Sequence, residues 1–263
     1  MARSSALINV LNLVDAATEE LPIESQFLND LKASIELSDN KQKRKPSMSY
    51  KPSSLHCIRN MYFQITGAEL ESDRASSELI GICESGTDRH DRIQRACMAM
   101  KENNIDCEYV NVGEFVKARG LNDIEVVSQN GNETKLFNKV LNISFLCDGI
   151  IRYKGKYYIL EIKTETSNKF WDRKDVNPDH ILQGIAYSVN LGLDNVLFLY
   201  ECRDNCSKKA FMLNVTDKMK QDLVGKITEC DGYVNRMICP PKPADISKKA
   251  CAYCNYAELC KRS

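Results

Sequence analysis

The sequence lacks a long apolar segment, and it lacks an excess of charge of either sign. No stretch approaches the roughly 20 consecutive apolar residues that a membrane-spanning helix needs. The apolar run near the N-terminus is broken by Asn9, Asn12 and Asp15, so it does not provide the uninterrupted apolar core of a secretory signal. We therefore expect an intracellular, cytoplasmic protein without a membrane partner.

Acidic and basic residues balance, with 36 of each in 263 residues. A nucleic-acid-binding protein is often basic overall, so this balance counts against a uniformly basic binding surface. A local basic groove still attracts a phosphate backbone on a neutral protein, and the class is therefore not excluded. The length and the 43% hydrophobic content suit one sizeable domain with a small appendage.

The first 46 residues are predicted to form a helical appendage followed by a basic linker. Apolar residues recur at helical spacing over residues 4–20, and a second helix is expected after Pro22. The polar and basic stretch Ser38–Pro46 has no such period and is typical of an exposed loop. The amphipathic faces of the two helices suggest docking on the main domain, residues 47–263, or on a protein partner.

The main domain is predicted to belong to the α/β (α+β) class, with helices flanking one mixed central sheet. Helices are expected from Ser53 through Tyr62, in a long segment that carries Asp88–Ile93 and runs to about Met100, over 179–190 with an end near Gly192, and over 216–237. Strands are expected in a β-hairpin over 140–166, at Val196–Cys202 and at Ala210–Val215.

The hairpin carries two acidic residues and a lysine on one face. A tight turn is expected at Lys154-Gly155, because these residues separate two β-prone runs. Counting outward from the turn places Asp148 opposite Glu161, and residues directly opposite share a face with Cβ atoms about 4.5–5.5 Å apart. Lys163 lies two residues beyond Glu161 and therefore shares that face.

Two carboxylates and an ammonium inside apolar strands are costly to bury without partners. A divalent cation resolves this conflict, since hard oxygen ligands suit Mg²⁺ or Mn²⁺. Such a metal activates water and neutralises charge on a phosphate. The alternative is a charged cross-strand cluster on a solvated sheet face. The apolar neighbours Leu146, Ile150 and Ile159 favour the metal site.

Two further segments supply candidates for the same site. His180, Gln183 and Tyr187 fall on one stripe of a predicted helix, although such a stripe by itself is more typical of packing. His90 is one of only three histidines, and imidazole is a ligand for Mn²⁺ and other transition metals. A lone histidine is more often a partly buried structural residue. The functional interpretation of these candidates therefore depends on the carboxylate–lysine site predicted in the hairpin.

Twelve cysteines in a chain expected in a reducing compartment indicate metal binding rather than disulfides. Cys251, Cys254 and Cys260 have C-x2-C-x5-C spacing, and both zinc and iron–sulfur sites need four ligands. The spacing identifies neither the fourth ligand nor the metal. Eight cysteines stand singly and are expected to be small buried side chains: Cys83, Cys97, Cys107, Cys147, Cys202, Cys206, Cys230 and Cys239.

Together these motifs resemble the RecB-like nucleases of the PD-(D/E)XK class that carry an iron–sulfur cluster. That group includes the CRISPR-associated RecB-like exonucleases and the AddB nuclease domain, and the compact size would suit a phage-encoded member. The resemblance covers residues 47–263 and implies a restriction-endonuclease-like sheet flanked by helices. Ser53–Arg59 is similar to the family's S-x-x-x-C-x-R element. The resemblance thereby implies that Cys57 is the fourth ligand of a [4Fe–4S] cluster with Cys251, Cys254 and Cys260.

The resemblance also implies roles for the other candidates. Gly86–His90 is similar to the family's histidine motif, and the remaining residues to its D…E-x-K and Q-x3-Y motifs. Lys163 is implied to position the attacking water, and the glutamine and tyrosine to align the strand or the lysine. The implied catalytic residues are Asp148, Glu161, Lys163, Gln183 and Tyr187, and the implied Mg²⁺ or Mn²⁺ ligands are His90, Asp148, Glu161 and the carbonyl of Ile162.

The sequence therefore predicts a metal-dependent DNA exonuclease acting on single-stranded ends, in recombination, repair or CRISPR-type processing. Hydrolysis follows from the residues, whereas the preference for single-stranded DNA follows from the resemblance. The alternative is a DNA-binding or structural module of a recombination complex on a nuclease fold, with zinc or an iron–sulfur cluster as its staple. The complete D…E-x-K set argues against this alternative, since a site that no longer catalyses a reaction tends to lose at least one of its catalytic residues.

Overall fold

The computed structural model describes residues 21–40, 47–70, 76–130, 133–244, 246, 248–252 and 254–263. The helix predicted over residues 4–20 and most of the predicted linker lie outside the described residues. The described residues fall into two compact units, a smaller one with residues 21–40 and 76–82 and a larger one with the rest. Among the described helices, none combines the length and the apolar character that crossing a bilayer requires.

The helices and strands alternate along the chain. The helices are α1 (Ile23–Asn40), α2 (Ile58–Ile65), α3 (Ser77–Glu102), α4 (Val112–Ala118), α5 (Ser167–Asp172), α6 (Pro178–Leu191), α7 (Asp217–Asn235), α8 (Lys248–Ala252) and α9 (Ala257–Arg262). The strands are β1 (Cys107–Val110), β2 (Ile124–Asn130), β3 (Glu133–Asn138), β4 (Ile143–Cys147), β5 (Gly149–Tyr153), β6 (Lys156–Glu165), β7 (Asn195–Cys202) and β8 (Lys208–Asn214).

The larger unit is built on a five-stranded mixed sheet in the order β1-β5-β6-β7-β8. Strands β6 and β7 are parallel, and the other neighbours are antiparallel. A parallel pair needs a crossover connection, and α5 and α6 provide it. The mixed α/β class predicted from the sequence is confirmed. A second, three-stranded sheet in the order β2-β3-β4 was not part of that prediction.

Helices cover both faces of the five-stranded sheet. One face, with Ile150, Ile159 and Phe198 fully buried, packs in the main core together with residues of α2, α6 and α7. The opposite face, with Leu160 and Ile162, packs against α3 in a smaller cluster. Because residues alternate between faces along a strand, Glu161 and Lys163 of β6 face the α6 side.

The predicted hairpin turn is confirmed, but the hairpin is shorter than expected. Lys154 and Gly155 have φ values of 48° and 78°, which is the backbone of a two-residue hairpin turn, and Tyr153 pairs with Lys156. The prediction of a hairpin over 140–166 is wrong at its start, because β4 pairs with β3 in the other sheet. Leu146 is accordingly 51% exposed and does not contribute to the apolar surroundings of the site.

Three other expectations are corrected. Helix α1 runs through Asn40, so the start of the predicted linker is helical. The helix expected from Ser53 through Tyr62 is interrupted: a 3₁₀ helix covers Pro52–Ser54, Cys57 is extended, with φ −131° and ψ 116°, and the α-helix begins at Ile58. Cys83 and Cys206 are exposed rather than buried, because their positions on α3 and in the β7–β8 turn face solvent.

In the smaller unit, polar contacts join α1 to the start of α3. Lys32 Nζ lies 2.9 Å from Glu78 Oε1, and the backbone N–H of Ser77 donates to Glu36 Oε1 at 3.1 Å. A carboxylate at this position satisfies one of the N–H groups that the first turn of a helix leaves without a partner.

Candidate active site

Asp148 is the single residue between β4 and β5, and it therefore lies where the two sheets meet. Its backbone carbonyl accepts hydrogen bonds from Gln94 Nε2 at 2.6 Å and from the hydroxyl of Tyr109. Its carboxylate Oδ2 accepts from the backbone N–H of Ile162 at 2.7 Å. These contacts fix the buried carboxylate in one orientation. Neither Gln94 nor Tyr109 was singled out from the sequence, although Gln94 stands four residues after His90 on the same helix.

His90 and Glu133 complete a group of three metal-ligating side chains with Asp148. His90 Nδ1 lies 3.2 Å from Asp148 Oδ1 and 3.8 Å from Glu133 Oε1. Among the described residues, this is the only group of three or more such side chains whose ligand atoms all lie within 4.8 Å of one another. Glu133 was missed from the sequence because β3 was not predicted. Thr134 pairs with Cys147, so continuing that register brings Glu133 beside Asp148.

The charges of this group raise the pKa of His90. Burial opposes the imidazolium, but the hydrogen bond to Asp148 and the negative charges of Asp148, Glu161 and Glu133 outweigh it. Burial and the neighbouring Asp148 raise the pKa of Glu133. Both shifts report an excess of negative charge in a confined space, which is the condition that a bound cation relieves.

Glu161 is buried and has one oxygen without a partner. Its Oε1 lies 2.5 Å from Lys163 Nζ, whereas its Oε2 accepts no hydrogen bond from the described residues. Burial, with the charge of Asp148 adding to it, raises the pKa of Glu161 to about 7 although Lys163 acts in the opposite direction. A buried oxygen of this kind is costly unless it is paired, and a divalent cation would pair it.

Lys163 connects Glu161 to helix α6. Its ammonium donates to Gln183 Oε1 at 2.9 Å, and Gln183 Nε2 donates to the hydroxyl of Tyr187 at 2.6 Å. Burial opposes the ammonium, but the charge of Glu161 and its hydrogen bond keep the pKa of Lys163 above its ordinary value. The predicted residues of the E-x-K and Q-x3-Y motifs thus form one chain of hydrogen-bonding contacts.

Helix α6 is held in the position that this chain requires. Asn177 caps its start by accepting a hydrogen bond from the N–H of Asp179 at 3.2 Å, and Gly192 ends it with a left-handed φ of 65°. A Cβ atom at Gly184 would lie 2.9 Å from Leu213 Cδ2 and 3.1 Å from the Phe198 ring. The missing side chain at Gly184 therefore lets the helix approach the sheet closely.

His180, the first residue of the predicted stripe, lies outside the hydrogen-bonded chain. Its Nδ1 is 3.0 Å from the hydroxyl of Tyr200. Burial, together with the positive charges of Lys163 and Arg173, lowers the pKa of His180 to about 3. The ring therefore remains neutral near pH 7 and serves as a hydrogen-bonding partner within the packed face.

The structure brings Cys57 together with the three tail cysteines. Cys57, Cys251, Cys254 and Cys260 line one cavity of about 300 Å³. Burial raises the pKa of Cys254 against a backbone hydrogen bond at Tyr256 that lowers it, and the charges of the other three cysteines add to the rise. The C-terminus is tied to the same region, since Arg59 Nη2 donates to the carbonyl of Ser263 at 3.0 Å.

No protein-family model matches the chain, and no curated protein matches it. Among solved structures, the crystal structure of SSO0001 is similar with a TM-score of 0.47 and 14% identity, over 89% of this chain and 96% of that chain. The crystal structure of an alkaline exonuclease (LHK-Exo) from Laribacter hongkongensis has a TM-score of 0.42 and 13% identity, over 72% and 89%. LHK-Exo in complex with dAMP has a TM-score of 0.43 and 11% identity, over 73% and 92%.

Proposed function

We propose that this protein is a metal-dependent DNA exonuclease that hydrolyses phosphodiester bonds at single-stranded ends. The observation that carries the hydrolytic part is the convergence of Asp148, Glu161 and Lys163 with His90 and Glu133 at the junction of the two sheets. The preference for single-stranded DNA is supported by the resemblance of the motifs to RecB-like PD-(D/E)XK nucleases. We propose residues 47–263 as the nuclease domain and residues 1–46 as its appendage.

The donor set fits Mg²⁺ or Mn²⁺. Asp148, Glu133 and His90 offer two carboxylates and an imidazole with mutually close ligand atoms, and Glu161 adds an unpaired buried oxygen. We also propose the backbone carbonyl of Ile162 as a ligand. The N–H of the same residue donates to Asp148 Oδ2, so the Ile162 backbone lies beside the proposed site. When bound, the metal would polarise the scissile phosphate and lower the pKa of an attacking water.

Lys163 would position the attacking water. Its ammonium, which lies 2.5 Å from Glu161 Oε1, would also stabilise negative charge on the phosphate. The water oxygen forms the new bond to phosphorus and releases a proton to solvent, while the ester P–O bond breaks and the leaving oxygen takes up a proton from solvent. Gln183 and Tyr187 would hold Lys163 in place, because Gln183 receives one of its N–H bonds.

Cys57, Cys251, Cys254 and Cys260 line one cavity, and four thiolates suit either a zinc ion or an iron–sulfur cluster. We propose that they hold a [4Fe–4S] cluster, with one thiolate for each iron. This choice is supported by the resemblance of the S-x-x-x-C-x-R and C-x2-C-x5-C elements to those of the iron–sulfur nucleases.

The proposal is tested with end-labelled single-stranded DNA in Mn²⁺ or Mg²⁺. Asp148→Ala, Glu161→Ala and Lys163→Ala should each lower the rate by orders of magnitude, because metal and water are positioned together. Glu125→Ala, which removes an exposed carboxylate on β2, is the matched control and should cleave at the wild-type rate. Full activity in a folded Glu161→Ala protein contradicts the site assignment.

A closed single-stranded circle of the same sequence separates the modes of cleavage. An exonuclease leaves the circle intact because it needs an end. Cleavage of the circle would replace the exonuclease assignment with an endonuclease at the same site. Binding of single strands without cleavage in either metal would favour a DNA-binding module.

A further inference from the structure

Trp171 is an exposed aromatic side chain next to the strand that carries the site. It is the only tryptophan of the chain, it lies on α5 immediately after β6, and it is 57% exposed. Isolated exposed apolar residues are common on protein surfaces and need no explanation. The way in which this ring is supported distinguishes it from such residues.

Lys209 fixes the short helix that carries Trp171. Its Nζ donates to the backbone carbonyls of Phe170 at 2.7 Å, Trp171 at 3.1 Å and Arg173 at 3.0 Å. An ammonium has three N–H donors, so all of them are used on this turn. A six-residue helix has little stability of its own, and these bonds supply partners for its last carbonyls. The backbone below the tryptophan is therefore held in one conformation.

The Trp171 ring is supported on one side and open on another. Lys209 Nζ lies 5.6 Å from its ring centroid, and Phe170, which is buried, contacts it edge-on at 5.1 Å between centroids. With more than half of the residue exposed, the ring face away from Lys209 is available to a ligand. A fixed ring with one free face is the arrangement on which a nucleic-acid base stacks.

The ring lies on the same side of the sheet as the proposed catalytic lysine. Lys163 pairs with Tyr200, and Tyr200 pairs with Lys209, so these three side chains form a row across β6, β7 and β8. Adjacent strands lie about 4.7–4.9 Å apart, which puts Lys209 roughly 10 Å from Lys163 along the row. Arg173, two residues after Trp171, places its guanidinium carbon 4.6 Å from the centroid of the Tyr200 ring.

The segment around Trp171 carries charges of both signs. Between residues 167 and 175 three basic residues, Lys169, Arg173 and Lys174, stand beside two acidic ones, Asp172 and Asp175. Arg173 is also engaged by Glu165 through two hydrogen bonds. A ligand recognised here would therefore be held mainly by its aromatic surface, which favours a base over a bare phosphate backbone.

We propose that Trp171 is a stacking platform for one base of a single-stranded DNA substrate, at a base a few nucleotides from the cleaved bond. This inference rests on the proposed function, because it takes the Lys163 site as the point of cleavage. It adds a binding residue that recognises the base rather than the backbone.

The intrinsic fluorescence of Trp171, the single tryptophan of the chain, reports directly on base stacking. Oligothymidine is titrated into the full-length protein without added divalent cation, so that no cleavage occurs, and emission is followed. Saturating oligothymidine should quench the emission, whereas an abasic strand of equal length and charge should leave it unchanged. Unchanged emission at saturation with oligothymidine, or equal quenching by the abasic strand, overturns the proposal.

Substitutions give a second measurement, with affinity followed by the anisotropy of a labelled strand. Trp171→Ala should weaken oligothymidine binding about 5- to 150-fold, the range of single base-stacking contacts, and should leave abasic binding unchanged. Trp171→Phe should retain most of the affinity. Val140→Ala removes an exposed apolar side chain from a turn between β3 and β4 and should bind both strands as wild type does. Equal binding of oligothymidine by Trp171→Ala and wild type overturns the platform.

The two proposals fail in different ways. Cleavage of single strands without any base-dependent quenching removes the platform and leaves the exonuclease. Base-dependent quenching in a protein that cleaves no strand removes the exonuclease and supports Trp171 as a base-binding residue.

Discussion

At the scale of single residues, burial decides which groups of the candidate site carry charge. Glu161 is buried with one oxygen unpaired, so its pKa rises to about 7 even beside an ammonium. Lys163 keeps a raised pKa because the same carboxylate lies 2.5 Å away. A bound cation would satisfy the unpaired oxygen of Glu161, so the proposed metal ligands around the pair are the first residues to test.

Glu133 and His90 are expected to contribute directly to metal affinity. Glu133→Gln and His90→Ala should each weaken Mn²⁺ binding by at least about tenfold, because each removes one member of a three-ligand group. Isothermal calorimetry on the folded variants measures this, with Glu125→Gln as the exposed control. An unchanged affinity in Glu133→Gln would place Glu133 outside the metal shell.

His180 is expected to make the protein sensitive to acid. Burial lowers its pKa to about 3, whereas a histidine in an unfolded chain titrates near about 6.5. Between these values the unfolded chain binds a proton that the folded chain does not. The free energy of unfolding should therefore fall below about pH 6.5, by at most about 1.4 kcal/mol per pH unit, and the loss should end near pH 3.

Urea denaturation of wild type and His180→Gln across this range checks the prediction. The free energy of unfolding of the variant should lack the pH dependence that His180 contributes. Plotted against pH, the free energies of the two proteins should therefore differ in slope below about pH 6.5 and run parallel above it. If the free energies of unfolding of the two proteins ran parallel at all pH values, the His180 ring would take up a proton in the folded protein as readily as in the unfolded chain.

At the scale of elements, the approach of α6 to the sheet sets the distance between Gln183 and Lys163. Gly184 permits this approach because a Cβ atom there would contact Leu213 and Phe198 too closely. Gly225 on α7 offers a comparison, since a Cβ atom at that position meets nothing within 4 Å. The two glycines allow the same substitution to be compared in packed and open surroundings.

Gly184→Ala should lower the free energy of unfolding by about 1–3 kcal/mol, as overpacking does in a close-packed core, and should reduce the cleavage rate by displacing Gln183. Gly225→Ala should raise the free energy of unfolding by up to about 1 kcal/mol, because alanine favours the helix. Denaturation and rate measurements on both variants test this. Equal effects of the two substitutions would mean that α6 is free to move outward.

At the scale of the whole molecule, the four cysteines connect the two ends of the larger unit. Cys57 precedes α2, whereas Cys251, Cys254 and Cys260 lie in the tail. A cluster joining them closes a loop of nearly the whole domain, which reduces the entropy of the unfolded chain. Binding of the metal and folding are then coupled.

Cys57→Ala is expected to lose iron and sulfide and to become prone to aggregation, as are Cys254→Ala and Cys260→Ala. Cys239→Ala is the matched control, because Cys239 is also half-buried in the tail region but does not line the cavity. Iron and sulfide per chain, with the visible absorption spectrum, check the result. A full cluster in Cys57→Ala would assign the fourth ligand to another cysteine, and a colourless zinc-containing wild type would contradict the iron–sulfur proposal.

What the sequence by itself determined is local. The turn at Lys154-Gly155 fixes the register of β5 and β6, and the alternation of side chains along a strand then places Asp148, Glu161 and Lys163 on one face. Capping at Asn177 and the left-handed Gly192 set the bounds of α6 in the same way. Turn chemistry and strand alternation act between close neighbours in the chain, so a single sequence is enough to reveal them.

The tertiary structure decided which distant residues join that face. Glu133 reaches Asp148 only because β3 and β4 pair in a second sheet, and Gln94 reaches it only because α3 packs on one face of the first. The support of Trp171 comes from Lys209, which lies on the edge strand β8. Contacts of this kind depend on how separate elements pack, and no local period in the sequence encodes that packing.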